Sequence, residues 1–168
     1  MKIIILILFL TLQSHAKKTL YIYNFSSQVI QDWDIATRPG TSFFPEFHSK
    51  QYGIITITPG GDLTLVNTSN IYRFPFYSPT SSTVINIWEQ LNSNGTSPEF
   101  SDIDAWPLGD DQVFWYTKLL IGSNYLENIG TDTPFVTDGA TWEAIYQLYT
   151  PVPSNPNLIE YVVTIYDN

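Results

Sequence analysis

The stretch 54-IITITPGGDLTLVN-67 decides how the rest of the chain is read. Ile55, Ile57, Leu63 and Leu65 alternate with threonines on either side of Pro59-Gly60-Gly61-Asp62. An apolar residue at every second position is the period of a strand with one buried face, and the central run has the residues of a tight reversal. The pattern predicts a β-hairpin with Thr56, Thr58 and Thr64 together on its wet face. Threonine suits that position without any further role.

Working outward, the same period recurs in 19-TLYIYNFSS-27, 28-QVIQDWDIAT-37, 71-IYRFPF-76, 83-TVINIWEQL-91, 112-QVFWYTKLLI-121, 140-ATWEAIYQLY-149 and 158-LIEYVVTIYDN-168. Proline, glycine, serine and asparagine clusters separate these segments. Roughly eight or nine strands of this kind predict an all-β fold, an antiparallel β-sandwich of jelly-roll or immunoglobulin-like form. In the second segment Val29, Gln31, Trp33 and Ile35 fall on one face, leaving Asp32 and Asp34 on the other. Val84, Ile87, Trp88 and Leu91 also fit a helical stripe, as do Trp142, Ile145, Tyr146 and Tyr149. One short helix at either place, capped by Ser82 or Asp138, therefore stays open.

Residues 1-MKIIILILFLTLQSHA-16 join a basic start at Lys2 to an apolar run and to Ser14-His15-Ala16, the pattern of a secretory signal peptide cleaved near Ala16. The run is about ten residues long, half of what a spanning helix needs, so membrane insertion is not expected. The expected product, residues 17–168, is one β-sandwich domain, secreted to an extracellular or periplasmic space. It has no cysteine, and its stability must come from packing. Losing Lys2 leaves six basic against sixteen acidic side chains, a formal charge of −10. Such a surface repels phosphate backbones and argues against nucleic acid as a partner.

Exclusion narrows the chemistry. Two histidines occur, His15 in the signal segment and His48 in the body, and with no cysteine a His/Cys zinc site and a cysteine nucleophile drop out. There is no G-x-S-x-G turn and no glycine-rich phosphate loop, so no organic cofactor is expected. Carboxylates remain. The segment 98-PEFSDIDAWPLGDDQ-112 gathers Glu99, Asp102, Asp104, Asp110 and Asp111 around Trp106. Asp102, Asp104, Asp110 and Asp111 are candidate ligands of a structural calcium ion, although the spacing is not that of an EF-hand loop. Asp102 with Asp104, or Asp32 with Asp34, is also the minimum pair for a glycoside hydrolase.

Aromatic residues make up 15% of the chain, more than a core of this size needs, and several fall in long loops. Phe43, Phe44, Phe47, Trp106 and Tyr125 are the candidate ligand-binding residues, suited to sugar rings or to another protein. The reading leans away from catalysis, toward a binding module for a glycan or a cell-surface protein. Its rivals are a self-associating structural subunit that pairs through a sheet edge at 158–168, and the carboxylate hydrolase. Asn24, Asn67 and Asn94 stand in N-x-S/T acceptor patterns.

Overall fold

The computed structural model describes residues 17–50, 55–66, 74, 85–149 and 158–168, with the backbone alone for 124–127. Residues 1–16, where a signal peptide is expected, Asn67 and most of 71–76 lie outside the described residues. The strands are β1 Lys17–Phe25, β2 Ile30–Pro39, β3 Glu46–Ser49, β4 Ile55–Ile57, β5 Asp62–Leu65, β6 Ile87–Leu91 and β7 Glu99–Ser101, followed by β8 Gln112–Ile121, β9 Asn124–Gly130, β10 Phe135–Thr137, β11 Trp142–Tyr149 and β12 Leu158–Asp167. They form two sheets: a five-stranded one ordered β10-β11-β12-β1-β5, and a seven-stranded one ordered β7-β6-β3-β2-β8-β9 with β4 also against β2. All described pairings are antiparallel except that of β1 with β12. The all-β sandwich is as expected, with twelve strands among the described residues against the eight or nine expected.

Leu20, Ile22, Leu65 and Val163 from one sheet meet Ile30, Phe47, Trp88, Phe114 and Leu119 from the other in a single core cluster. Each such side chain contributes about 1.5–3 kcal/mol by leaving water. This packing stands in for disulfides in a chain without cysteine.

The stretch 54–67 folds differently from its expected hairpin. Its strands do not pair with each other: β4 joins β2 in the seven-stranded sheet, and β5 joins β1 in the five-stranded one. The turn between them, closed by Gly61 N–H donating to the Thr58 carbonyl at 2.9 Å, carries the chain across the sandwich. The two-residue period itself holds, since Ile55, Ile57, Leu63 and Leu65 are all buried. In a sandwich, however, both sheets turn the same kind of face inward, so alternation cannot say which sheet a strand joins. Thr56 and Thr64 consequently lie in opposite sheets and form no common threonine face.

Asn24 ties this corner to the one between β1 and β2. Its side-chain N–H groups donate to the carbonyls of Gln28 (2.8 Å) and Ile57 (3.1 Å), and its Oδ1 accepts from Ser26 N and Oγ. Its backbone exchanges further bonds with Gly60 and Gly61. An asparagine so buried and bonded serves the fold rather than carrying a glycan, whereas Asn94 is exposed in a turn with Thr96.

Of three other expectations two are corrected and one, the strand reading of the two contested stripes, is met. The segment 158–168 is no sheet edge, because β12 is flanked by β11 and by β1. Both contested stripes are strands, β6 and β11, and the one helix among the described residues is α1, Asp102–Ala105. Asp138 caps no helix; its carboxylate accepts from the backbone of Ala140, Thr141 and Trp142 at the turn into β11. Thirdly, Asp32 and Asp34 do not share a face. A bulge at Trp33 shifts the register, so Asp32 stands opposite buried Leu119 and Asp34 opposite half-exposed Lys118.

Candidate functional site

The outer face of the seven-stranded sheet carries the most elaborate group of polar and aromatic side chains. A second bulge, where Ala36 pairs with Tyr116 and Thr37 with Phe114, leaves Trp115 unpaired. Gly130 allows β9 to close against it: a Cβ there would lie 2.2 Å from the Trp115 carbonyl oxygen. The next residues bind back, with Thr131 N–H donating to that carbonyl at 2.8 Å and Trp115 Nε1 donating to Asp132 Oδ2 at 2.7 Å. Asp132 also takes a two-pronged bond from the Arg38 guanidinium, at 3.2 and 3.3 Å. The guanidinium carbon lies 4.8 Å from the centre of the Trp115 ring and 5.6 Å from that of Phe43. The Arg38 cation thus meets two rings while its fork is filled by a carboxylate, an arrangement that orients the guanidinium.

The loop from Pro39 to Pro45 is held from beneath. Buried Gln112 accepts from Thr37 Oγ1 (3.0 Å) and donates to the Pro45 carbonyl (3.2 Å), and Gly40 N–H donates to the Asp111 carbonyl (3.2 Å). Lys18, itself buried, reaches across from the other sheet to the carbonyls of Gln112 (2.7 Å) and Asp110 (3.2 Å). On this support Phe43 stays 68% exposed with Phe44 beside it. A depression of about 170 Å³ is lined by Arg38, Gly40, Thr41, Ser42 and Phe43.

Further along the face, His48 lies between two carboxylates, Nδ1 3.0 Å from Asp34 Oδ2 and Nε2 3.2 Å from Glu46 Oε2, beside the Tyr116 ring. Burial alone would lower the imidazole pKa; the bonds and charges of Asp34 and Glu46 outweigh it and the value is raised. Asp32, on the core side, accepts from Thr117 Oγ1 at 2.9 Å, and burial pushes its pKa up to about 7.

The expected site residues are dispersed. Phe43 and Phe44 belong to the cluster just described. Phe47 does not: it is wholly buried in β3, packed on Phe74 at 4.9 Å, and is removed from the surface set. Trp106 is half-buried in a 3-10 turn after α1, and Tyr125 lies in β9 with its side chain outside the described atoms. In the acidic stretch Ser101 Oγ accepts from Asp104 N–H (3.1 Å) and donates to the Asp104 carboxylate (2.7 Å), capping α1, while Glu99 pairs with Lys50. Among the described residues no three acidic, histidine or cysteine side chains converge as metal ligands.

Arg38, Trp115 and Asp132 escaped the sequence reading. Trp115 carried a usable signal, because alternation puts it opposite core-facing Phe114. So did Tyr21, Tyr23 and Phe25, which alternate with buried Leu20 and Ile22. With Tyr166 they form a row of near-parallel rings on the outer face of the five-stranded sheet, at centroid spacings of 5.8, 6.0 and 5.7 Å.

Comparison with protein-family models, with curated proteins and with solved structures finds no match to the chain.

Proposed function

We propose that the protein is a secreted, non-catalytic binding module whose ligand is a glycan, held at the Phe43 cluster. The observation that carries this reading is an exposed ring set against a braced arginine and beside hydrogen-bonding groups. Phe43 stands over Arg38, which is fixed by Trp115 and Asp132. A sugar ring stacks its C–H face on such an aromatic side chain while its hydroxyls bond to charged and hydroxyl groups, here Asp132, Thr41 and Ser42. Preformed geometry lowers the ordering cost of weak polar contacts. The leader pattern of residues 1–16 supports a location where cell-surface glycans occur.

The test is tryptophan emission during titration with a panel of soluble polysaccharides. One glycan is expected to give a saturable change, and Phe43→Ala to weaken it about tenfold, the loss of a single central aromatic contact. Unchanged affinity in both Phe43→Ala and Trp115→Phe would remove the site.

A second reading, association with another protein or a second copy, draws on the Tyr21-Tyr23-Phe25-Tyr166 row, in which Phe25 is 58% exposed. Sedimentation velocity at micromolar concentration, comparing the native chain with Phe25→Ser, decides it: a dimer lost in the variant supports the row as an interface.

A further inference from the structure

A cleft of about 240 Å³ opens between the sheets, walled by Phe114 of β8 and by Tyr146, Leu148, Ile159 and Tyr161 of β11 and β12. The Phe114 ring centre lies 5.6 Å from that of Tyr146 and 5.5 Å from that of Tyr161, so much of the wall is aromatic. No charged side chain lines it among the described residues. Leu148, 48% exposed, stands at its rim. Of the two tyrosine hydroxyls on its wall, that of Tyr161 is engaged with the Phe114 backbone and that of Tyr146 is left over. Tyr146 is only 8% exposed, and its Oη is buried without a hydrogen bond. Thr131 lines the same cleft and acts weakly on this hydroxyl, opposing the effect of burial, without a hydrogen bond of full geometry.

A buried hydroxyl without a partner costs stability, and native proteins seldom keep one without a use. Burial raises the Tyr146 pKa, so at neutral pH the group is a neutral donor. The volume bounds the occupant. An apolar cavity of about 150 Å³ accepts benzene, and drug-sized pockets begin near 300 Å³. A space of about 240 Å³ therefore fits one ring with a short substituent.

We propose that this cleft binds a small neutral aromatic molecule bearing one hydrogen-bond acceptor, such as an aryl ketone, with the ring against Phe114 and Tyr161 and the acceptor on Tyr146 Oη. The site is separate from the Phe43 cluster, and the inference stands whether or not that cluster binds glycans.

The experiment is a titration of the purified protein with acetophenone, followed by amide chemical shifts. Ethylbenzene, of nearly the same shape but without an acceptor, is the control. Saturable shifts are expected at Val113, Thr131, Leu148 and Ile159. Tyr146→Phe should weaken acetophenone about tenfold and leave ethylbenzene unchanged, the signature of one lost hydrogen bond. The variant should also unfold at higher urea than the native chain, which shows that it folds. Leu148→Arg, at an exposed position, should abolish both ligands by charging the rim. The proposal is overturned by absence of saturable shifts, by shifts confined to Phe43 and Trp115, or by equal weakening of both compounds in Tyr146→Phe.

Discussion

Two acidic regions of this chain look alike in sequence and behave differently in the fold. The stretch 98–112 has five carboxylates in fifteen residues, and the start of β2 has two, Asp32 and Asp34. The dense stretch does modest local work: a cap on α1, an ion pair from Glu99 to Lys50, and backbone carbonyls offered to Lys18 and Gly40. The sparse pair sits where β2 bulges, and the bulge sends one carboxylate into the core and the other to His48. Strand register, not the number of acids, decides which carboxylate carries a consequence. Removing water from a charge costs far more than any exposed pair returns.

Asp32→Asn gives the largest effect and can break this comparison outright. The folded pKa of Asp32 is about 7 against 3.8 in an unfolded chain, so the folded state keeps a proton that the unfolded state has already lost. Stability is therefore complete below about pH 4 and falls as pH rises through about 7, by on the order of 4 kcal/mol in all. Asparagine keeps an acceptor for Thr117 and has no proton to lose. Urea midpoints should differ little at pH 4 and favour the variant strongly at pH 8. A difference independent of pH would mean that Asp32 does not titrate in this window.

His48→Gln comes next. Raised above 6.5 by its two carboxylates, the imidazolium stabilises the fold fully below about pH 6.5, and the contribution is lost as pH rises through the folded value. The variant should lose about 1–2 kcal/mol at pH 6, where it leaves Asp34 and Glu46 facing each other, and less at pH 8.5. Titration of the His48 ring protons by NMR reports the site directly. A midpoint at or below 6.5 sinks the argument.

How much of this was legible follows from what a two-residue period contains. Alternation identified the buried residues of 54–67, 112–121 and 158–168, and β8 runs over the expected residues. It was blind to sheet membership, so 54–67 became a crossover, and to the bulges at Trp33 and Trp115, each of which reverses the face of everything beyond it. Those same bulges build the polar groups of the outer face. Phe43 and Phe44 were found because loop aromatics are conspicuous; Arg38, Trp115 and Asp132 come from β2, β8 and the β9–β10 connection, and only tertiary structure brings them together. Phe47 misled because the residues around it read as loop, whereas β3 inserts it among core rings.

The smallest effects are expected in the stretch that looked most significant. Ser101→Ala removes the acceptor for Asp104 N–H and should cost about 1 kcal/mol, the ordinary worth of an N-cap. Asp111→Asn should change stability by less than about 0.5 kcal/mol, because Asp111 is exposed and its bond to Gly40 uses the backbone carbonyl, which asparagine retains. Both are read from urea midpoints at pH 7 with and without calcium. If Asp111→Asn cost more than Ser101→Ala, and only with calcium present, the side chain would be acting as an ion ligand. Equal results in the two buffers, with Ser101→Ala the costlier change, leave the Asp111 carboxylate as surface charge and the backbone as the part of 98–112 that matters.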